Sequence, residues 1–212
     1  PNAESLPKLR VQLFGTAEQM MGITDTSRGW TTGYFDPKVK TSFYCCEEPG
    51  LIDGRTVQHQ TVLQILCASA SRSLPRWMAE GLAVYLEEAD WRRGRLVLPP
   101  LARRMRIAQY ASRIQQGDPE LTLSQLLPLE SEAAWGTGEV GRQLRAAGAA
   151  IVFLLTMDGG NFRSDVVEYL RDVGNADTEA LSVYVGLSVA SLEALMHRFY
   201  TEVFEHSEKT DF

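Results

Sequence analysis

Cysteine is scarce in this chain, and what there is does not build a disulfide framework. The three are Cys45, Cys46 and Cys67, an odd count with two adjacent members and no clean pairing. In an extended segment Cys45 and Cys46 would point to opposite faces. Long apolar runs are missing too. The longest, Ala146 to Met157, is interrupted by Gly148, and a bilayer span needs about 20 apolar residues. It reads as a buried helix, and no membrane span is expected. Basic charge is in deficit, with 21 Lys and Arg against 27 Asp and Glu, a net charge of −6. Nucleic-acid binders normally carry a basic excess, so no nucleic-acid partner is expected. There is no internal repeat, no low-complexity linker and no signal-peptide pattern at the start of the given sequence. Compartment and oligomeric state stay open. What remains, 44% hydrophobic and 23% charged among 212 residues, is an ordinary globular composition, read as a single domain over 1–212.

The chemistry-bearing stretch runs from Thr56 to Glu88, TVQHQTVLQILCASASRSLPRWMAEGLAVYLEE. Its pattern predicts two helices joined by a short Ser/Arg turn. The first carries His59-Gln60-Thr61-Val62-Leu63. The second opens at Pro75, a residue suited to a helix start, and carries Trp77, Glu80, Gly81, Leu82, Ala83 and Tyr85. Taken singly these residues say little, since a lone His on an apolar helix is usually a core residue and Trp77, Leu82 and Tyr85 suit a core. Their joint order is more specific.

That order resembles the gluzincin type of zinc metallopeptidase, in particular the bacterial peptidase-MA-like family. There an H-E-x-x-H helix is followed by a turn and P-x-W-x-x-E-G-L-A-x-Y. The upstream Gly33-Tyr34-Phe35-Asp36-Pro37 also looks like that family's G-[FY]-Y-D-P hairpin, and such a sheet binds substrate along its edge strand. In the H-E-x-x-H pattern, histidines at i and i+4 bind one Zn²⁺ from a single helix face, and the Glu is the general base. A Glu on the next helix completes the protein ligands. The resemblance puts the first ligand at His59 and the third at Glu80, 17 residues beyond the second-ligand position. But that second position holds Leu63, which cannot bind metal, and the base position holds Gln60, which cannot take and keep a proton. The family's Tyr near the start of the helix ending in F-L-L has no counterpart beside Leu144, Arg145, Ala146 and Ala147. The resemblance therefore implies a dismantled site: no catalytic residue, vestigial positions Gln60, His59, Leu63 and Glu80, and no cofactor. The expected function is that of a pseudoprotease that binds or scaffolds a peptide or protein partner. The competing enzyme reading is an unusual zinc hydrolase using His59 and Glu80.

Between Arg92 and Arg113 stand seven Arg and no acidic residue, a local +7 that leaves −13 for the rest. Either these are a solvated face paired with acids elsewhere, or Arg103, Arg104 and Arg106 bind the carboxylates or phosphates of an acidic partner. On that reading the chain is a helical interaction module. Gly136-Thr137-Gly138-Glu139-Val140-Gly141 matches G-x-G-x-x-G only in letters, because no buried strand precedes it and Glu139 would repel a pyrophosphate. A Cys67–His59 nucleophilic pair fails on distance, eight helical residues being about 12 Å of rise.

The expected fold is α+β: a small N-terminal antiparallel sheet (1–50), the motif helices (55–90) and a mostly helical C-terminal half (101–206). Strands are expected at Lys8–Phe14, Trp30–Phe35 and Thr41–Cys46, and a helical turn capped by Thr16 at Thr16–Met21. An extended piece is expected at Arg95–Leu98. Later helices are expected at Leu101–Gln116, Arg142–Met157, Phe162–Val173, Asp177–Val185 and Ser188–Phe204, with a short helix or turn at Leu121–Leu127. Ser207 to Phe212 reads as a frayed tail.

Overall fold

The computed structural model describes residues 8–23, 33–46, 53–69, 74–93, 95–117, 122–129, 135, 140–173 and 180–209. The N-terminal part is a three-stranded sheet in the order β1-β3-β2, formed by β1 (Arg10–Phe14), β2 (Gly33–Asp36) and β3 (Thr41–Cys45). β2 and β3 make the expected antiparallel hairpin, with Phe35 opposite Ser42. Its turn is fixed by Asp36 Oδ1, which accepts from the backbone N–H of Lys38 (2.8 Å) and Val39 (3.4 Å). Residues 30–32 of the expected second strand lie outside the described residues. The sheet is not purely antiparallel, because β1 pairs parallel with β3, Gln12 opposite Phe43. Alternation of apolar residues fixes which face a side chain takes but not the direction of its neighbour. Helix α1 (Ala17–Met21) follows β1 and is capped as expected, Thr16 Oγ1 accepting from Gln19 N at 3.2 Å.

Each face of the sheet has its own packing. On the α1 side Phe14, Met20, Tyr34, Phe43 and Cys45 form one cluster. On the other side lies α2 (Gly54–Ser69), and Phe35 packs there with Val62, Leu63 and, from α3 (Arg76–Leu86), Ala83. Gln64 of α2 is buried, and its Nε2 donates to Arg10 O and Ser42 Oγ, each at 2.6 Å. These two bonds tie the helix to the sheet.

Beyond α3 a two-stranded ribbon, β4 (Asp90–Arg92) and β5 (Arg95–Val97), runs antiparallel. The sequence pattern suggested only the second of these, since three residues are too few to show a period. The remainder is helical: α4 (Pro100–Gln115), α5 (Leu123–Leu126), α6 (Val140–Thr156), α7 (Arg163–Asp172), α8 (Leu181–Val185) and α9 (Val189–Lys209). α5 carries a full capping box between Thr122 and Gln125. α9 runs on to Lys209, past the expected start of a frayed tail at Ser207, because no Gly or Pro interrupts Val189–Lys209. Gly136 to Glu139 lie outside the described residues, while Gly141 is helical in α6.

α6 is the centre of the fold: Ala146, Ala147, Ala150, Ile151, Val152, Phe153 and Leu154 are all buried, packed with Trp77, Met78 and Leu82 of α3. Val140–Gly159 is also long and apolar enough, on length and composition alone, to match a membrane span, and 61% of its most apolar window is buried inside the fold. The approach of α3 to α6 depends on Gly81. A Cβ there would meet Ala147 O at 2.5 Å and Ile151 Cγ1 at 2.6 Å. The Glu-Gly-Leu-Ala run thus places a carboxylate and a helix-contact glycine side by side, and this fixes where Glu80 points.

Candidate functional site

Gln58 Nε2, near the start of α2, donates to Leu86 O and Ala89 O at the far end of α3, both at 2.7 Å. The two helices therefore return on one another, and this brings His59 and Glu80 together. His59 Nε2 lies 2.8 Å from Glu80 Oε2, and His59 Nδ1 lies 2.8 Å from Glu87 Oε1. Glu80 and Glu87 stand seven residues apart, two turns along one helix stripe. His59 is 6% exposed and Glu80 1%, so these are contacts made largely out of water.

Two arginines complete the cluster. Arg76, one turn before Glu80 on α3, holds Glu80 Oε1 at 2.5 Å. Arg106 of α4 reaches Glu87 Oε2 at 3.1 Å and Glu88 Oε1 at 3.8 Å, and Arg55 lies 3.5 Å from Glu88. The charges alternate, cation against carboxylate, across α2, α3 and α4.

The electrostatics follow from that alternation. Burial by itself pushes His59 down, but its hydrogen bonds to Glu80 and Glu87, with the charges of those carboxylates, outweigh it and lift the imidazole to about 9. Burial likewise pushes the Glu80 carboxyl up. The Arg76 charge, then the hydrogen bond and charge of His59, more than offset this and hold it below its ordinary value. At neutral pH the pair is imidazolium and carboxylate, each the other's reason for staying charged. Both ring nitrogens then act as donors.

The positions predicted from sequence separate here. His59 and Glu80 meet. Leu63 is 5% exposed and belongs to the apolar cluster with Phe35, Val62 and Ala83. Gln60 is 5% exposed, and its Oε1 meets no donor among the described residues. Trp77 and Leu82 are core residues and Tyr85 packs against that core. Arg103 and Arg104 are exposed on α4, but Arg106 is buried and engaged by Glu87. The three arginines expected to bind a partner thus divide into a solvent-facing pair, Arg103 and Arg104, and one internal partner, Arg106. Sequence reasoning missed Arg76 and Glu87. The signals were available: Arg76 is the i−4 neighbour of Glu80 on a helix, and Glu87 is its i+7 neighbour.

The residues do not fit the zinc that gluzincin peptidases hold at these positions. Two ligands of one tetrahedral zinc, each at about 2.1 Å, stand roughly 3.4 Å apart. His59 Nε2 and Glu80 Oε2 are in direct hydrogen-bond contact at 2.8 Å instead. Glu80's other oxygen is covered by Arg76, and Leu63 offers no donor. Among the described residues no group of three or more His, Cys, Asp and Glu side chains is arranged to hold a metal ion. No family model, no curated protein and no solved structure matches this chain.

Proposed function

We propose that this chain is a non-catalytic relative of the gluzincin peptidases, a pseudoprotease that binds or scaffolds a peptide or protein partner. The observation that supports this reading best is that both nitrogens of His59 are engaged by carboxylates. An imidazolium has no lone pair for a metal and cannot accept a proton, so at neutral pH His59 can serve neither as ligand nor as base. Gln60 cannot replace the missing base. The alternative hydrolase reading needs His59 neutral and Glu80 free to turn to a metal, and Arg76 opposes the second condition.

On this proposal an ion pair does the structural work of the metal, holding α2 against α3. Zinc titration by calorimetry at neutral pH tests it. The wild type is expected to bind no stoichiometric zinc, whereas Leu63→His adds a second imidazole one turn from His59 and should bind zinc measurably more tightly. The cost is a loss of about 1–3 kcal/mol without metal, from replacing a packed Leu. One tightly held zinc per wild-type chain, lost in His59→Ala, would sink the pseudoprotease reading. A folded Leu63→His variant with no gain in affinity would sink the gluzincin alignment.

A further inference from the structure

Between the sheet and the C-terminal half of α2 lies a cleft of about 250 Å³, whose lining includes none of His59, Arg76, Glu80, Glu87 and Arg106. Its apolar part comes from Phe35, Leu9, Val39 and Ala68, and Cys67 lines it as well. Its polar part is one-signed. Lys8, Arg10, Lys38 and Lys40 all line it, and among the described residues no lining residue is acidic. This concentration of positive charge stands out in a chain whose net charge is −6. Among the described residues none of the four pairs with a carboxylate. Asp36, the acid nearest to Lys38 and Lys40 along the chain, turns its Oδ1 to the backbone N–H of Lys38 and Val39.

Four like charges around a concave apolar surface repel one another, and the low-dielectric walls focus their field into the cleft. An anion there relieves the repulsion, and an apolar body attached to it covers Leu9 and Val39, which are 43% and 50% exposed. The walls are braced for this. Gln64, also a lining residue, is held to Arg10 O and Ser42 Oγ. The volume limits the guest, since it equals about eight liquid waters at roughly 30 Å³ each, below the usual 300–1,000 Å³ of drug-sized pockets.

We infer that this cleft binds a small amphiphilic anion, an acid headgroup on an apolar body of about eight heavy atoms. The site is independent of the His59–Glu80 cluster and of the pseudoprotease reading. The headgroup chemistry is that shared by carboxylates and phosphate monoesters, so both are tested as probes.

The experiment is calorimetric titration of the full chain with octanoate and with octyl phosphate. Inorganic phosphate and octyltrimethylammonium serve as the headgroup-only and opposite-charge controls. Either or both of the two amphiphilic anions should bind, more tightly than either control and less tightly as salt is raised. Whichever binds identifies the headgroup. Lys38→Gln combined with Lys40→Asn should weaken binding at least about five-fold. Lys38→Arg should keep it, since the charge is retained. Asn is chosen at position 40 because φ there is 51°, a region Asn tolerates. Location is read in a Cys46→Ser background, where Cys45 is buried and Cys67 is the half-exposed thiol. A bound anion should slow thiol modification of Cys67. The inference is overturned if neither amphiphilic anion binds, if octyltrimethylammonium binds as well as they do, or if binding leaves Cys67 unprotected. It is equally overturned if the charge-removing variant, shown to be folded by circular dichroism, binds undiminished.

Discussion

His59 is held between two carboxylates, and one of them, Glu80, is buried to 1% exposure with a positive group at each oxygen. Truncating one partner of a buried pair is costly because the other is left charged in a poor solvent for charge. His59→Ala is therefore expected to lower unfolding free energy by about 3 kcal/mol, read from urea midpoints at neutral pH. Arg103→Ala, on the exposed face of the same Arg-rich segment, should change it by under about 0.5 kcal/mol. Arg106→Ala should behave like the buried case, since its guanidinium serves Glu87. Equal effects from Arg103→Ala and Arg106→Ala would show that the segment is not divided in this way.

At the scale of elements, α3 is the piece on which both the core and the site depend. One of its faces carries Trp77, Met78 and Leu82 into the main core, and Glu80 and Glu87 reach His59. Gly81 allows the close approach to α6. Gly81→Ala is expected to destabilise by about 1–3 kcal/mol through overpacking, because the Ala147 carbonyl that the new methyl would meet is backbone and cannot swing aside. The same substitution should shift Glu80 relative to Arg76 and His59, so the histidine titration followed by NMR should move with it. A stable Gly81→Ala protein with an unaltered His59 titration would mean that α3 and α6 have slack the structure does not suggest.

For the whole molecule, the cluster predicts a pH dependence with a definite sign. The folded pKa of His59, about 9, lies above its ordinary 6.5. Its contribution is therefore fully present below 6.5, declines as pH rises, and is gone once pH has passed through about 9. At 1.36 kcal/mol per unit the swing is about 3 kcal/mol. Glu80 works in the opposite direction. Its folded pKa lies below the ordinary 4.5, so its contribution is present above 4.5 and lost as pH falls through the lowered value. Stability should be greatest between these limits. The difference in unfolding free energy between wild type and His59→Gln should shrink steadily across the alkaline window. A difference that stays constant from 6.5 to beyond 9 would show that His59 is neutral in the native protein.

Much of this was written locally. Hydrophobic period and Gly/Pro punctuation marked the hairpin, the motif helices and the later helices, because short-range backbone preferences and amphipathic stripes are properties of neighbouring residues. That His59 and Glu80 would come together was implied by the gluzincin resemblance alone, as two ligand positions, and the structure has them in direct contact. The sequence by itself determined that Leu63 and Gln60 cannot supply a ligand and a base. It did not determine that β1 would lie parallel to β3, since the pleat records facing and not direction. Nor did it determine that Arg106 would leave its neighbours and turn inward to Glu87, or that Lys8 and Arg10 would meet Lys38 and Lys40. Those groupings join residues far apart in the chain. Whether a charge sits in water, against an opposite charge or among like charges is decided only when helices and sheet pack and the solvent between them is removed.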